Sequence, residues 1–489
     1  MPPARQPEHP ESIELPARRG TIVNDTDVLV VGGGPAGIAA AVGAASAGAR
    51  VMLVERYGFL GGNATAALVM PLMSFHAHRD QIPRLDITAL FPPDQGPGDP
   101  VVAGVFRSFV SRLIAAGGAL EPSQLTGFTV PFDPEILKLV ALDLLDDAGV
   151  EYLFHSFASG VLGEGRVDGV VFEGKSGPIV VKARGVVDCT GDGDIAALAG
   201  APCEIGREED GLVQPMTLMF RMVDFEREAF AAYAKAHPGE WRGVHGLWDL
   251  VRQATAAGEL ELPREDMLFF ATPHPREISV NSTRVTGVLG TSVFDLTRAE
   301  WEGRRQFRQI AAFLRKYVPG FEASYAAQTG VQVGVRETRR ITGDYQLTGL
   351  DIMAARKHDD VIARGAYPID IHNPAGKGTV LERVPPGDAY DIPFRCLLPQ
   401  GVANLLVAGR CISGTHVAHS SYRVMPISMA TGHAAGIAAA LAVRGGVAAR
   451  DLPVVDVQRE LLRQGADLGQ TGELLRSGAS PSAVGKSGD

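Results

Sequence analysis

The sequence contains no CxxC pair: its four cysteines, Cys189, Cys203, Cys396 and Cys411, stand apart. That excludes zinc ribbons and dithiol redox motifs, and a chain of 489 residues with so few cysteines has no disulfide framework. The thiols are read as reduced, with Cys411 a small packing residue beside Arg410. No Lys/Arg-rich block is present, and the formal net charge is −10. The electrostatic footprint of a nucleic-acid binder is therefore missing, and the acidic balance serves solubility. No apolar run of about 18 residues is free of glycine and polar interruptions, so no membrane-spanning helix is expected. Residues 1–24 lack the apolar core of a secretory signal. Arg18-Arg19 precede a polar stretch, Gly20 to Asp27, which argues against a twin-arginine signal. A cytoplasmic location is expected. No solenoid period is found. What is plentiful is glycine, with 58 residues, well above the ~7 % of average usage; this suits tight turns and close backbone approaches.

Residues 25–31, DTDVLVV, read as a buried parallel strand. A glycine turn follows, then a small-residue helix from Ala36 to Ala47, stopped by Gly48, and a second strand from Arg50 to Val54. This is a βαβ start. Residues 58–100 read as a loop-rich excursion, Pro-rich from Phe91 to Pro100. Helices are expected over Val105 to Ala116 and Pro134 to Ala148. Asp133 is the N-cap of the second, Pro134 its first residue, and Gly149 follows its end. A strand from Tyr152 to Phe157 comes next. It leads into a β-meander over Val161 to Phe172 and Ile179 to Lys182, then a separate buried strand, Ala183 to Asp188. A helix begins within Gly191 to Ala199. From Asn404 the pattern of strand (Leu405 to Val407), glycine turn and small-residue helix (Ile427 to Val443) returns. The expected fold is α/β: a Rossmann-like dinucleotide-binding domain (parallel sheet with β-meander) plus an inserted mixed α+β substrate domain. Residues 1–24 are a flexible tail, and 25–210 and 392–450 form the nucleotide domain around an inserted substrate or cap domain, 211–391. Residues 451–489 hold a C-terminal helix and a polar tail, mobile from Gly465.

The strongest local feature is Gly32-Gly33-Gly34-Pro35-Ala36-Gly37, a GxGxxG between strand and helix. Gly32 permits the tight turn, Gly34 a close approach to a diphosphate, and Gly37 close helix–strand packing. Pro35 and Ala36 open the helix, whose free N–H groups and dipole favour an anion. Glu55 ends the second strand, 21 residues past Gly34, placed for ribose hydroxyls. The bland alternative is an ordinary glycine turn with Glu55 as a solvated charge. Strand, helix and acid at the expected spacing favour the dinucleotide. Gly163-Glu164-Gly165 lies in the meander without a helix, so no separate NAD(P)H domain is expected. Electrons then come from the substrate, or leave to oxygen or a carrier.

GGGPAG with VMLVER behind it resembles the FAD side of Rossmann-type enzymes. Arg56 follows. Gly61-Gly62-Asn63-Ala64-Thr65 resembles the Gly-Gly-x-x-Thr loop of the fumarate reductase and succinate dehydrogenase flavoprotein group. VDCTGDGD (187–194), with Thr190, Gly191 and Asp192, resembles a second FAD-side loop. LVAGR (406–410), with Gly409 and Arg410, resembles a C-terminal flavin loop. The blocks FDPEILK (132–138), QPMTLMFRM (214–222), GVRETRRITGDY (334–345) and NLLVAGRCISGTHVAHSSYRVMP (404–426) complete the pattern. From about residue 25 to 445 the chain resembles the FAD-dependent oxidoreductase family. The resemblance implies FAD as cofactor, with Arg410 and Met425 to Ser428 close to the flavin. It does not identify the substrate.

A flavin needs a proton acceptor and orienting charges from the protein. His416 or His419 is the expected general base, because histidine titrates near neutral pH; the alternative is a buried structural histidine. Arg423 is expected to orient a substrate carboxylate or to hold a structural ion pair. Arg336, Glu337, Arg339 and Arg340 form a dense charged cluster, either a solvated face or a substrate contact. Tyr367, Asp370 and His372 are a third group. A covalent flavin link would use His76 or His78, in the loop after GGNAT. No metal is expected. These residues describe a dehydrogenase or oxidase that transfers hydride from a CH–OH, CH–NH or CH–CH group to flavin. Two alternatives stand: a reductase of an activated C=C bond, with Arg423 or Arg340 as proton donor or clamp, and a non-redox flavin-binding protein, which the acidic balance opposes. Partners are a small-molecule substrate and an acceptor, oxygen or a carrier. Neither nucleic acid nor membrane is expected; a homo-oligomer suits the fold.

Overall fold

The computed structural model describes residues 3–7, 11–78, 87–92, 98–376 and 378–477. β1 (Thr21–Val31) ends in Val28, Leu29, Val30 and Val31, all buried, as a central parallel strand requires. Glycines turn it into α1 (Pro35–Ser46), with Pro35 in the first turn, where its missing N–H is harmless. β2 (Val51–Val54) returns parallel to β1, with Val28 opposite Val51. Helices Val105–Ala115 and Pro134–Asp147 follow, and the Asp133 side chain accepts from Glu135 N at the N-cap of the second. β3 (Glu151–Leu153) pairs parallel with β2.

β4 (Phe157–Leu162), β5 (Gly169–Gly174) and β6 (Gly177–Asp188) form the meander. The sequence pattern separates 179–182 from 183–188, but one strand covers both. Its first half pairs antiparallel with β5, and its whole length runs parallel to β1, with Val31 opposite Asp188. Exposed Lys182 and Arg184 interrupt the apolar pattern without ending the strand. Conversely, the strand expected over 152–157 divides at His155, whose φ is +55°. β7 (Leu405–Val407) pairs parallel with the end of β6. The sheet order is β3-β2-β1-β6-β5-β4, with β7 beside β6.

α2 (Met425–Gly445) packs along α1 at backbone distance. A Cβ added at Gly436 would stand 1.9 Å from the Ala40 carbonyl oxygen. Contrary to the sequence expectation, α2 is long and apolar enough to cross a membrane by length and composition; 94 % of its most apolar window is buried inside the fold.

The insertion builds a five-stranded antiparallel sheet in the order Tyr325–Thr329, Phe220–Val223, Glu277–Val280, Met267–Ala271, His245–Gly246. Helices Arg227–Ala236, Trp248–Ala256 and Val293–Tyr317 accompany it. Its core is aromatic: Phe225, Phe230, Trp241, Phe269 and Phe321 are buried together, and Phe230 meets Trp241 edge-on at 4.9 Å. Residues from 339 onward, expected in the insertion as far as 391, instead pack Ile341, Leu347, Val361 and Tyr390 into the core around β1 and α1. Strand Arg339–Ile341 pairs with Cys203–Ile205 and ties this return in place. At the C-terminus, helix Val454–Arg463 is followed by helix Gly469–Arg476, which lies within the stretch expected to be mobile from Gly465; 478–489 lie outside the described residues, as do 93–97 of the Pro-rich stretch.

Candidate active site

The C-terminal ends of β1, β2, β6 and β7 open on one cleft of about 1010 Å³, the position where ligands bind open α/β sheets. Gly32, Gly34, Pro35 and Ala36 line it at the start of α1, where no side chain caps the helix; the free N–H groups are left for an anion. Gly62 and Asn63 approach from the opposite side. A Cβ on Gly62 would reach Gly34 Cα at 2.9 Å, so a side chain there would fill the cradle. Gly61 N donates to Gly33 O at 2.8 Å and joins the two glycine loops.

Glu55 and Arg56 also line the cleft. Glu55 accepts from Gly33 N at 2.6 Å and Tyr57 N at 2.9 Å. Burial raises its pKa against those two bonds, and each oxygen keeps a lone pair for a ribose hydroxyl. Thr190, Gly191 and Asp192 come from the loop after β6. Asp188 shapes that loop by accepting from Thr190 N and Oγ1 and from Ala196 N. Asp192 receives Arg410 Nη2 and Thr338 Oγ1, each at 2.8 Å. Gly409 and Arg410 follow β7, and Met425 and Ser428 bring the uncapped N-terminus of α2 to the same wall. Gly37, Gly61, Ala64 and Thr65 lie one layer behind. Gly37 allows helix and turn to touch, since a Cβ there would fall 1.8 Å from Gly32 O, and Thr65 Oγ1 holds Leu60 O at 2.7 Å. Glycine cradle, buried acid and two open helix N-termini fit FAD.

A second chamber, of about 1130 Å³, opens from the first; Asn63, Val335, Arg410, Arg423 and Met425 line both. Much of its wall is apolar, including Met70, Met73, Met219, Leu268 and Phe270. Arg336, Tyr367, Asp370 and His372 gather on its polar side. The Tyr367 hydroxyl donates to Asp370 Oδ2 at 2.9 Å, Arg423 Nη2 reaches the same oxygen at 3.3 Å, and His372 Nε2 lies 3.5 Å from it. Burial works to raise the Asp370 pKa, but His372, Arg423 and Tyr367 outweigh it and hold the carboxyl well below its usual range. Burial pushes His372 down to about 4; Asp370 opposes this, while Arg336 and Arg423 add to it. Arg336 Nη1 donates to Pro215 O at 2.6 Å and Thr217 Oγ1 at 2.7 Å.

The expected bases sit elsewhere. His416 and His419 are 7 % and 0 % exposed and line neither chamber. His416 Nδ1 meets Glu337 Oε1 at 2.8 Å, and Arg340 Nη1 reaches that oxygen at 2.5 Å. Arg340 also donates to Gly414 O and Gly206 O; it stitches loops and does not face a ligand. Burial, with Arg340, Arg423 and Arg410 nearby, holds the His419 pKa well below its ordinary value. Their placement corrects the sequence expectation for His416, His419 and Arg340, whereas Arg423 lines both chambers. His76 and His78 line neither. Cys411 is buried, with Sγ 3.5 Å from Ala408 O. Tyr57, Ser156, Phe157, Asp194 and Gln332 line the first cleft without having been singled out. Thr217 and Met219, in the second, fall within the QPMTLMFRM block, which was the signal available for them.

A family model described as FAD dependent oxidoreductase matches residues 27–461. Comparison with curated proteins gives no match. Among solved structures, the chain is similar to p-nitrophenol 4-monooxygenase from Pseudomonas putida, with 10 % identity and a TM-score of 0.43, over 94 % of this chain and 89 % of that one. It is also similar to a geranylgeranyl bacteriochlorophyll reductase-like protein from Thermoplasma acidophilum, with 13 % identity and a TM-score of 0.40, over 94 % and 84 %. A third similarity is to a myxobacterial chondrochloren halogenase, with 13 % identity and a TM-score of 0.43, over 93 % and 82 %.

Proposed function

The chain belongs to the FAD dependent oxidoreductase family, and from that premise we propose that it is a dehydrogenase or oxidase of a small organic substrate bound in the second chamber. One observation carries this reading: the second chamber joins the cofactor cleft at Asn63, Arg410, Arg423 and Met425. When bound, FAD supplies a two-electron acceptor for the hydride leaving a substrate CH–OH, CH–NH or CH–CH group.

The protein's part is placement and proton handling. The apolar wall excludes water from the reacting carbon. The uncapped N-terminus of α2 presents the positive end of its dipole to the cleft, where negative charge accumulates. The proton lost from the substrate passes to the pair His372 Nε2 and Asp370 Oδ2, 3.5 Å apart, which titrate together. Tyr367 and Arg423 fix the Asp370 carboxylate, and Ser420 Oγ accepts from Asp370 N at 3.1 Å. The substrate thus loses a hydride and a proton, and the electrons leave to oxygen or a carrier. The four free cysteines suit a reducing cytoplasm.

The pH profile tests the proton acceptor. His372 must be neutral to accept a proton, and its pKa is pushed down to about 4. The profile of kcat/KM, which reports the free enzyme, is expected to stay level from neutral pH down to about 5 and to fall only as pH drops through about 4. An acid limb near the ordinary histidine value, about 6.5, would argue against His372.

A second reading has support from the same wall. Arg336 and Arg423, both on the chamber wall, also suit an activated double bond conjugated to a carboxylate, with Arg423 as clamp and the chemistry run as a reduction.

A further inference from the structure

Among the described residues, the charged groups on the second chamber do not balance. Arg336, Arg410 and Arg423 line it, and among the described residues Asp370 is the one carboxylate there. Arg423 is paired with Asp370 at 3.3 Å, and Arg410 with Asp192 at 2.8 Å. Arg336 has no carboxylate within ion-pair distance among the described residues; its Nη1 bonds are to a carbonyl and a hydroxyl. Further cations stand behind it. Arg284 Nη2 lies 3.4 Å from His372 Nδ1 and has no carboxylate partner of its own among the described residues, whereas Arg264 is matched by Asp266 at 3.0 Å.

A half-buried guanidinium without a carboxylate partner is costly. Burial, reinforced by Arg423 and only partly opposed by Asp370, pushes the Arg336 pKa down to about 9. A guanidinium presents a planar fork of donors that matches a carboxylate. The same chamber is lined with hydrocarbon and thioether from Met70, Met73, Met219 and Phe270.

We propose that the chamber takes its substrate as a monocarboxylate, with the carboxylate on Arg336 and an apolar body against Met70, Met219 and Phe270. This rests on the reading of the second chamber as the substrate site. A bound carboxylate would also offset the field of Arg336 on His372, leaving the ring more basic when substrate is present than when it is absent. Substrate charge would then select for binding and prepare the proton acceptor together.

The test is a charge series on the FAD-loaded enzyme. Phenylacetate, its neutral amide and phenethylamine are titrated by calorimetry, with the visible flavin difference spectrum as a second readout. Phenylacetate is expected to bind at least about tenfold more tightly than the amide, the range for a hydrogen bond to a charged group, and the amine not at all. Arg336→Gln is expected to bring phenylacetate down to the affinity of the amide while the amide's affinity and the FAD content stay unchanged. Equal affinity for acid and amide, no phenylacetate binding at a concentration on the order of 10 mM, or full phenylacetate affinity in Arg336→Gln overturns the proposal. If Arg336→Gln loses FAD, the wild-type series decides, with Arg336→Lys as the second variant, expected to retain the preference for acid over amide. Carboxylate binding without flavin reduction by any carboxylate would remove the hydride-transfer reading and leave this one. Reduction by neutral alcohols with no preference for acids would do the reverse.

Discussion

Replacing Gly37 by valine is expected to give a folded protein that loses most of its FAD. A Cβ at this position would fall 1.8 Å from Gly32 O and 3.3 Å from Cys189 Cβ. The nearest atom is backbone of the phosphate-binding turn, so relief requires α1 to move away from β1. That movement displaces the N–H groups at the start of α1 on which the diphosphate depends. Overpacking of this kind costs up to about 3 kcal/mol, on the order of 100-fold in affinity if most of it falls on the bound state. The measurement is visible absorbance per mole of protein, followed by titration of FAD into apoprotein, with circular dichroism to confirm the fold. Wild-type FAD content in Gly37→Val would contradict the assignment of the cradle.

Removing the proton acceptor should act on turnover and leave the cofactor in place. His372→Ala is expected to lower kcat/KM by roughly 10² to 10⁴, the usual contribution of a general base. The flavin spectrum should not change, because His372 lines the second chamber and not the cofactor cleft. Asp370→Asn should fall in the same direction, since it leaves the new proton on His372 without its carboxylate partner. Activity within about twofold of wild type in His372→Ala would rule out the pair as proton acceptor, the mutation having then removed no interaction made in the transition state.

The cofactor half of the site was legible because its signals are local. Three glycines, a helix start and an acid at the end of the next strand lie within residues 32–55, on the consecutive elements β1, α1 and β2. The second chamber was not legible in the same way. Thr217, Arg336, His372 and Arg423 come from four separated segments, and no spacing rule links them.

The run from His416 to Tyr422 was misleading for a physical reason. Its polar side chains suggested a ligand site, yet every residue of that helix except Val417 is buried. There the hydroxyl groups serve internal bonds: Ser420 Oγ accepts from Asp370 N, Ser421 Oγ donates to Tyr367 O at 2.5 Å, and Tyr422 OH donates to Ile412 O. The helix positions the strand that carries Asp370 and His372. The charged cluster at 336–340 divides in the same manner. Arg336 faces the chamber, Glu337 and Arg340 form a buried knot with His416, and Arg339 reaches Asp194 at 2.9 Å. Sequence shows the density of charge; only the packing shows which charge faces the chamber.

The central claim is that substrate in the second chamber gives up a hydride to the FAD in the first. Anaerobic stopped-flow mixing of oxidised enzyme with saturated 2-hydroxy and 2-amino carboxylates tests it most directly, followed at the flavin band near ~450 nm. The account predicts that at least one of them bleaches the flavin, and that His372→Ala slows the bleaching. No bleaching by any saturated substrate, together with reoxidation of the reduced enzyme by enoates, would contradict it and identify a reductase.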